Sequence, residues 1–149
     1  MRYKEVESAL AEVMHVRPSG MGAFRGRLRH LRNIGLPRLP KSGSGRAIDY
    51  SSRQALEMLL ALELEDAGQT ASKAALVAES LVRQSPFGQH SGKDCYACVV
   101  KEQPGFTMMD GETAFLEFLR TAPDTFLIIN ISGCVRKLHP ALSRATSLS

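Results

Sequence analysis

The sequence contains no tryptophan, few aromatic residues and no long apolar stretch. Only 6% of its 149 residues are aromatic, and no unbroken apolar run approaches the roughly 20 residues that a transmembrane helix needs. The first residues alternate charged and apolar side chains, without the apolar core of a signal peptide. Three cysteines, an odd number, indicate reduced thiols rather than a disulfide framework. These absences predict a cytoplasmic protein that makes no contact with a membrane.

The motifs of common enzyme active sites are also missing. There is no P-loop, no G-x-S-x-G elbow and no HExxH motif. Cys95 and Cys98 form a single Cys-x-x-Cys pair, and Cys134, His90 and His139 complete a zinc ligand set on paper. Residues three apart on a strand point to opposite faces, which disfavours a metal held by both Cys95 and Cys98. We therefore predict buried thiols, and the alternatives are a zinc site or a redox site. We therefore predict no enzyme activity, no metal and no cofactor.

A long stretch of the first third of the chain lacks acidic residues. Eight basic residues occur from Arg17 to Arg46, with no Asp or Glu among them. Residues 1–50 contain ten Lys and Arg against four Asp and Glu, a net charge of +6, whereas residues 51–149 contain nine against eleven, a net charge of −2. A block of one sign that is also patterned like a folded segment is typical of polyanion binding. A solvated basic surface without a partner is the alternative.

Apolar residues at helical spacing predict four helices in the first 84 residues. Their predicted ranges are 4–14, about 21–33, 51–68 and from about 70 onward. The third has the clearest signal, because Ser51 and Gln54 match a capping box and Gly68 is a typical helix stop.

The second predicted helix combines an apolar stripe with a basic one. Phe24, Leu28 and Leu31 are spaced i, i+4 and i+7, which predicts a face that packs on a core. Three further residues have the same spacing, rotated by one position: Arg25, Arg29 and Arg32. The pattern predicts that one side of the helix is buried while the neighbouring side presents guanidinium groups.

The segments that follow predict a hairpin and then a small α/β unit. Residues 36–47 contain two prolines, two glycines and two serines, which favours a hairpin with its turn at 43–45. Residues 95–101 and 125–131 are rich in β-branched and aromatic side chains and predict strands. Helices are predicted from Asp110 to about Thr121 and over 134–143, the latter interrupted by Pro140. This small unit is expected to pack on the N-terminal part or on a second copy of itself.

Two segments resemble a known family of regulators. Residues 28–36, LRHLRNIGL, are similar to the recognition helix and helix exit of the MerR family, and residues 45–51, GRAIDYS, resemble the exit of its wing. The pattern continues through the third helix, Gly68 and the next helix, so the resemblance covers roughly residues 4–82. It implies a winged helix-turn-helix that binds DNA, usually as a dimer, and regulates transcription.

The resemblance also implies roles for individual residues. Arg25, Arg27 and Arg29 would face the DNA groove, and His30 would replace an aromatic phosphate contact. Arg46 would be the wing arginine, and Tyr50 would pack the wing against the third helix. The complete set of predicted DNA-binding residues is Arg17, Ser19, Arg25, Arg27, Arg29, His30, Arg32, Lys41, Arg46 and Tyr50.

One departure from the family affects dimerisation. MerR regulators usually dimerise through a long helix after the winged domain, but one proline and two glycines follow Val82 here, at Pro86, Gly88 and Gly92. Dimerisation is therefore expected to use the α/β unit or the third and fourth helices.

Together these observations predict an α+β protein. Residues 1–84 form a winged helix-turn-helix domain, 85–94 a linker and 95–149 a small α/β unit for dimerisation or partner contact. The predicted function is a sequence-specific, nucleoid-associated regulator of bacterial or phage type that binds double-stranded DNA as a homodimer. Helix 21–33 would lie in the major groove, with the wing, 38–49, on the adjacent groove or backbone. The alternative is a transcription-activation adaptor whose C-terminal unit recruits RNA polymerase or a nucleoid protein.

Overall fold

The computed structural model describes residues 1–38, 48–84, 94–100, 105–122 and 126–147. Within these ranges the chain forms helices and one antiparallel sheet, which confirms the predicted α+β class. The elements are α1 (Tyr3–Val13), α2 (Met21–Asn33), α3 (Ser52–Asp66), α4 (Ala71–Gln84), β1 (Cys95–Val100), β2 (Phe106–Asp110), α5 (Gly111–Thr121), β3 (Phe126–Asn130) and α6 (Ile131–Ser147). A short 3₁₀ turn, Pro18–Gly20, leads directly into α2.

The four N-terminal helices lie where the hydrophobic pattern predicts them. The predicted capping box begins α3: the Ser51 hydroxyl accepts from the Gln54 amide at 3.2 Å, and the Gln54 side chain accepts from the Ser51 amide at 2.9 Å. Gly68 follows the end of α3 with φ +88°, a backbone conformation that L side chains rarely adopt. Local sequence therefore determines both ends of this helix.

Two elements differ from the predictions. The last helix starts at Ile131 and continues through Pro140 to Ser147, whereas 134–143 was predicted. Its start is stabilised by the Asn130 side chain, which accepts from the Gly133 amide at 2.7 Å. It continues past Pro140 because buried residues on both sides of the proline, Leu138 and Leu142, keep it packed on the core. Strand β2 was not predicted: it is five residues long, and its pairing with β1 defines it.

The sheet has strand order β2-β1-β3, and β1 pairs antiparallel with both neighbours. In register, Ala97 lies opposite Met108 on one side and Ile129 on the other. Because β2 and β3 flank β1, the connection through α5 crosses over the central strand. This arrangement leaves β2 and β3 as the two edges among the described strands.

Each face of the sheet is covered by helices. On one face, Ala97 and Val99 are fully buried and belong to the same core cluster as residues of the helices. On the other face α5 packs through aromatic side chains. The Phe115 ring stacks on Tyr96 with centroids 4.8 Å apart, and Phe118 meets Phe126 edge-on at 5.7 Å.

The two predicted units share one hydrophobic core. Helix α6 packs along α1 and also contacts α3, and its buried residues join the same cluster as Leu10 and Leu59. An ion pair between Arg144 and Glu12 links α6 to α1 at the surface. The C-terminal unit thus packs on the N-terminal helices, one of the two arrangements predicted. Most of the predicted linker (85–93) and of the predicted wing (39–47) lies outside the described residues.

In the described ranges, no helix combines the length and apolar character that crossing a bilayer requires.

Candidate nucleic-acid interface

Helix α2 is oriented by a narrow buried stripe. Phe24, Leu28 and Leu31 are 3% exposed or less and pack in the helical core. The burial of these three side chains determines which face of α2 points outward, because residues on a helix are separated by about 100°.

The side of α2 opposite this stripe, here called the outward face, consists of Gly22, Gly26, Arg29, His30 and Asn33, all exposed. A Cβ atom added at Gly22 or Gly26 would meet no atom within 4 Å. A glycine inside a helix costs about 0.5–1 kcal/mol relative to alanine, and packing within the described chain gives no reason for it here. The outward face is therefore small, free of acidic residues and open to close approach by another molecule.

Arg25 lies on one flank of the outward face and is held in place. Its Nε donates to the Glu7 carboxylate of α1 at 2.7 Å. The Glu7 side chain is only 11% exposed, whereas that of Arg25 is 58% exposed. This bond uses one edge of the guanidinium and leaves most of the group in solvent. A buried carboxylate thus positions an exposed cation.

Arg32 lies on the same flank, seven residues or about two turns further along α2. Its guanidinium carbon is 4.7 Å from the centroid of the Tyr3 ring, a cation–π contact, while the residue as a whole stays exposed. Burial raises the pKa of Tyr3, and Glu7 raises it further, while Arg32 lowers it. Both flanking arginines are therefore anchored to α1.

Arg27 lies on the other flank and is bound to α3. It donates to the Leu62 carbonyl at 3.1 Å and to the Glu65 carboxylate at 3.2 Å, and it pairs with Asp66 at 2.8 Å. Only 33% of its side chain is exposed. The structure therefore does not bring Arg27 together with Arg25 and Arg29: its side chain holds α2 against α3.

The remaining predicted site residues fall into three groups. Arg17 and Ser19 are exposed in the turn that leads into α2, on the outside of the molecule. Tyr50 is 3% exposed, and its ring lies 6.0 Å from that of Tyr3, so it belongs to the core and not to the surface. Lys41 and Arg46 lie outside the described residues.

The start of the predicted wing segment is attached to α3 and α4. The Arg38 guanidinium pairs with Glu79 of α4 at 3.0 Å, and the Arg38 carbonyl accepts from the Gln54 side chain at 3.0 Å. Nearby, one carboxylate oxygen of Glu57 is buried without a hydrogen-bond partner among the described residues. Burial raises the pKa of Glu57, and Glu79 raises it further. The sequence pattern did not indicate this carboxylate pair, because it depends on how α3 and α4 pack.

Two of the three cysteines, Cys95 and Cys98, are buried, whereas Cys134 is only partly buried. Cys95 and Cys98 are 7% and 1% exposed, and their positions on β1 place them on opposite faces of the sheet. Burial raises the pKa of Cys95 to about 11 and that of Cys134 to about 11. Across the described ranges there is no group of three or more His, Cys, Asp or Glu residues arranged to hold a metal ion.

Comparison of the sequence with known protein families found no match, and comparison with curated proteins also found none. Function must therefore be inferred from the side chains that α2 presents.

Proposed function

We propose that this chain is a DNA-binding protein that regulates transcription, with α2 lying in the major groove of the duplex. The observation that carries the proposal is the outward face of α2: it has no acidic residue, it exposes Arg29 and His30, and two arginines flank it. An α-helix fits the major groove, where a guanidinium group can donate two hydrogen bonds to the edge of a guanine.

The two helix glycines support a close approach to DNA. Gly22 and Gly26 lie on the same face as Arg29, with open space where side chains would project. A duplex backbone or groove wall can therefore come nearer to the helix axis than larger residues would allow. This assigns a role to two residues that otherwise only lower helix stability.

The anchoring of the flanking arginines also supports the proposal. An arginine side chain loses up to about 2 kcal/mol of conformational entropy when it is ordered. Because Glu7 already holds Arg25 and the Tyr3 ring already supports Arg32, part of this cost is met before DNA binds. Arg29 makes no ion pair with any residue that the structure describes, so its guanidinium is available for a base edge.

The finer assignment follows the resemblance to the MerR family. We propose a winged helix-turn-helix in which α2 is the recognition helix and residues 38–49, including Lys41 and Arg46, form the wing. The attachment of Arg38 to α4 would hold the base of that wing beside α2. In this proposal the protein binds double-stranded DNA as a homodimer and is associated with the nucleoid.

The proposal is tested by selecting bound fragments from random double-stranded DNA and measuring affinity for the selected duplex by fluorescence anisotropy. Arg29→Ala should weaken binding roughly 5- to 150-fold, the equivalent of about 1–3 kcal/mol for one bidentate base contact. Arg120→Ala is the matched control, because it removes one exposed positive charge on α5, away from α2.

The salt dependence provides a second readout. Affinity should fall steeply with salt concentration, because bound phosphates release counterions. If the selected duplex binds equally tightly at low and high salt, or if Arg29→Ala and Arg120→Ala have the same affinity, α2 is not the DNA-binding element.

A second function is favoured by a different surface. On α5, Leu116 is 50% exposed and Leu119 is 40% exposed, three residues apart. We infer from this pair the alternative of an activation adaptor that contacts RNA polymerase or a nucleoid protein through α5. Replacing both leucines by serine should then abolish activation in a reporter assay while DNA affinity stays unchanged. Loss of DNA affinity in the same variant would count against the adaptor function.

A further inference from the structure

Strand β3 is an edge strand without the usual protection against pairing. Among the described strands it pairs only with β1. Its five residues, Phe126–Asn130, include no charged residue, proline or glycine. Natural edge strands usually carry charges, prolines or bulges, because unpaired backbone groups otherwise bind another strand. By contrast, β2, the other edge, ends in the exposed Asp110.

A groove of about 720 Å³ runs beside this edge. Its floor includes Leu127, Ile128 and Ile129 of β3, and its walls come from the end of α3 and the start of α6. Leu127 and Ile128 are only partly buried. The groove therefore combines the outer edge of β3 with apolar side chains that the described residues do not fully cover.

The groove is lined by both acidic and basic side chains. Its acidic residues, Glu63 and Asp66, come from α3, and its basic residues, Arg136 and Lys137, come from α6. Asp66 is paired with Arg27, and Arg136 is paired with Asp94 at 2.5 Å.

One acidic and one basic side chain of the groove are available to pair with another molecule. Glu63 and Lys137 are exposed and make no ion pair with any residue in the described ranges. An interface between identical subunits about a two-fold axis must match itself, and a surface with one unpaired acid and one unpaired base meets that condition.

We propose that two copies of this chain dimerise by antiparallel pairing of β3 with β3 of the partner subunit, which joins their two sheets into one. A two-fold axis perpendicular to the sheet near Ile128 places Phe126 opposite Asn130 of the partner subunit. The backbone groups on the outer edge of β3 then gain partners, and the apolar floor of each groove is covered. Lys137 of each copy can pair with Glu63 of the partner subunit across the junction.

This inference deepens the proposed function, since a two-fold dimer would present two α2 helices to two half-sites. The dimer rests on the proposed function only for its role on DNA, because self-association is measured in the absence of DNA. If the chain binds DNA as a monomer, the dimer is wrong, while DNA binding through α2 stands. If the chain dimerises through β3 but binds no DNA, the proposed function is wrong and the dimer stands.

The experiment is sedimentation equilibrium on the full chain, with Lys137→Glu, Glu63→Lys and the double variant. Each single variant places like charges across the junction and should raise the dissociation constant of the dimer at least tenfold. The double variant restores opposite charges and should recover most of the affinity. Arg120→Glu is the matched control, since it makes the same change of charge on α5 and should leave the dimer intact.

Amide hydrogen exchange identifies the strand. The amides on the outer edge of β3 should exchange more slowly as protein concentration rises, whereas the exposed amides of β2 should not change. A wild-type chain that stays monomeric up to about 100 μM would overturn the proposal. A dimer whose β3 amides exchange at a concentration-independent rate, or whose double variant is no tighter than the single variants, would overturn it too. Far-ultraviolet circular dichroism confirms that each variant is folded.

Discussion

Arg27 and Arg29 are two residues apart on α2, and the structure predicts opposite consequences when each is replaced by alanine. Arg27 is two-thirds buried and is bound to three groups of α3, whereas Arg29 is exposed on the outward face. Arg27→Ala should therefore destabilise the fold, and Arg29→Ala should weaken DNA binding and leave the fold unchanged.

The magnitude for Arg27 follows from its contacts. Truncation to alanine removes the hydrogen bonds to the Glu65 carboxylate, the hydrogen bond to the Leu62 carbonyl and the ion pair with Asp66. A buried hydrogen bond to a charged group contributes about 1.5–3 kcal/mol to the free energy of unfolding. Partial exposure lowers this contribution, because solvent screens the charges. We therefore expect a loss of about 1–2 kcal/mol, which for a chain of this length lowers the melting temperature by roughly 3–6 °C. Arg29→Ala should change stability by less than about 0.5 kcal/mol.

The assay is urea denaturation of both variants, followed by fluorescence anisotropy with the selected duplex. The urea midpoint should fall for Arg27→Ala with an unchanged slope, which indicates lost stability rather than a change in compactness. Arg27→Lys keeps the charge but not the planar fork, so it should recover only part of the stability.

The opposite result would refute this reasoning. If Arg27→Ala keeps the wild-type urea midpoint and loses DNA affinity as Arg29→Ala does, Arg27 contacts DNA in the bound state, as the MerR resemblance implies.

Three further predictions test other parts of the structure. Because burial raises the pKa of Glu57 above its ordinary value near 4.5, the folded state holds this proton to higher pH than the unfolded state does. The free energy of unfolding should therefore fall as pH rises above about 4.5. In urea titrations at several pH values, Glu57→Gln should reduce that fall. A variant with the same pH dependence as the wild type would contradict this role for Glu57. Gly26→Ala should raise stability by about 0.5–1 kcal/mol in thermal denaturation and weaken DNA binding in anisotropy; unchanged affinity would mean that the outward face does not contact DNA. Cys95 is 7% exposed, and burial raises its pKa to about 11; it should therefore react slowly with a thiol reagent near neutral pH until the protein is denatured, and rapid labelling of Cys95 in the native protein would contradict its burial.

Much of the candidate site was predictable because α2 is a locally determined helix. The spacing of Phe24, Leu28 and Leu31 correctly predicts the buried stripe. The same periodicity places Arg25, Arg29 and Arg32 away from that stripe, and the structure confirms that all three are exposed.

The partners of the arginines were not predictable, because they come from residues far along the chain. Glu7 is 18 residues from Arg25, and Glu65 is 38 residues from Arg27. Spacing along one helix shows which side chains share a face, but it does not show which neighbouring helix supplies a carboxylate. The separation of Arg27 from the other two arginines therefore required the packing of α2 between α1 and α3.

By itself, the sequence determined the four N-terminal helices, the two ends of α3 and the two apolar strands, since these depend on residues within a few positions of one another. The Ser51 capping box and the turn at Gly68 are examples. Only the tertiary structure decided that α6 packs on α1, that β2 pairs as an edge strand and that β3 pairs with β1 alone among the described strands. These features depend on contacts between distant segments, whose free energy comes from shared burial and is not encoded in any local pattern.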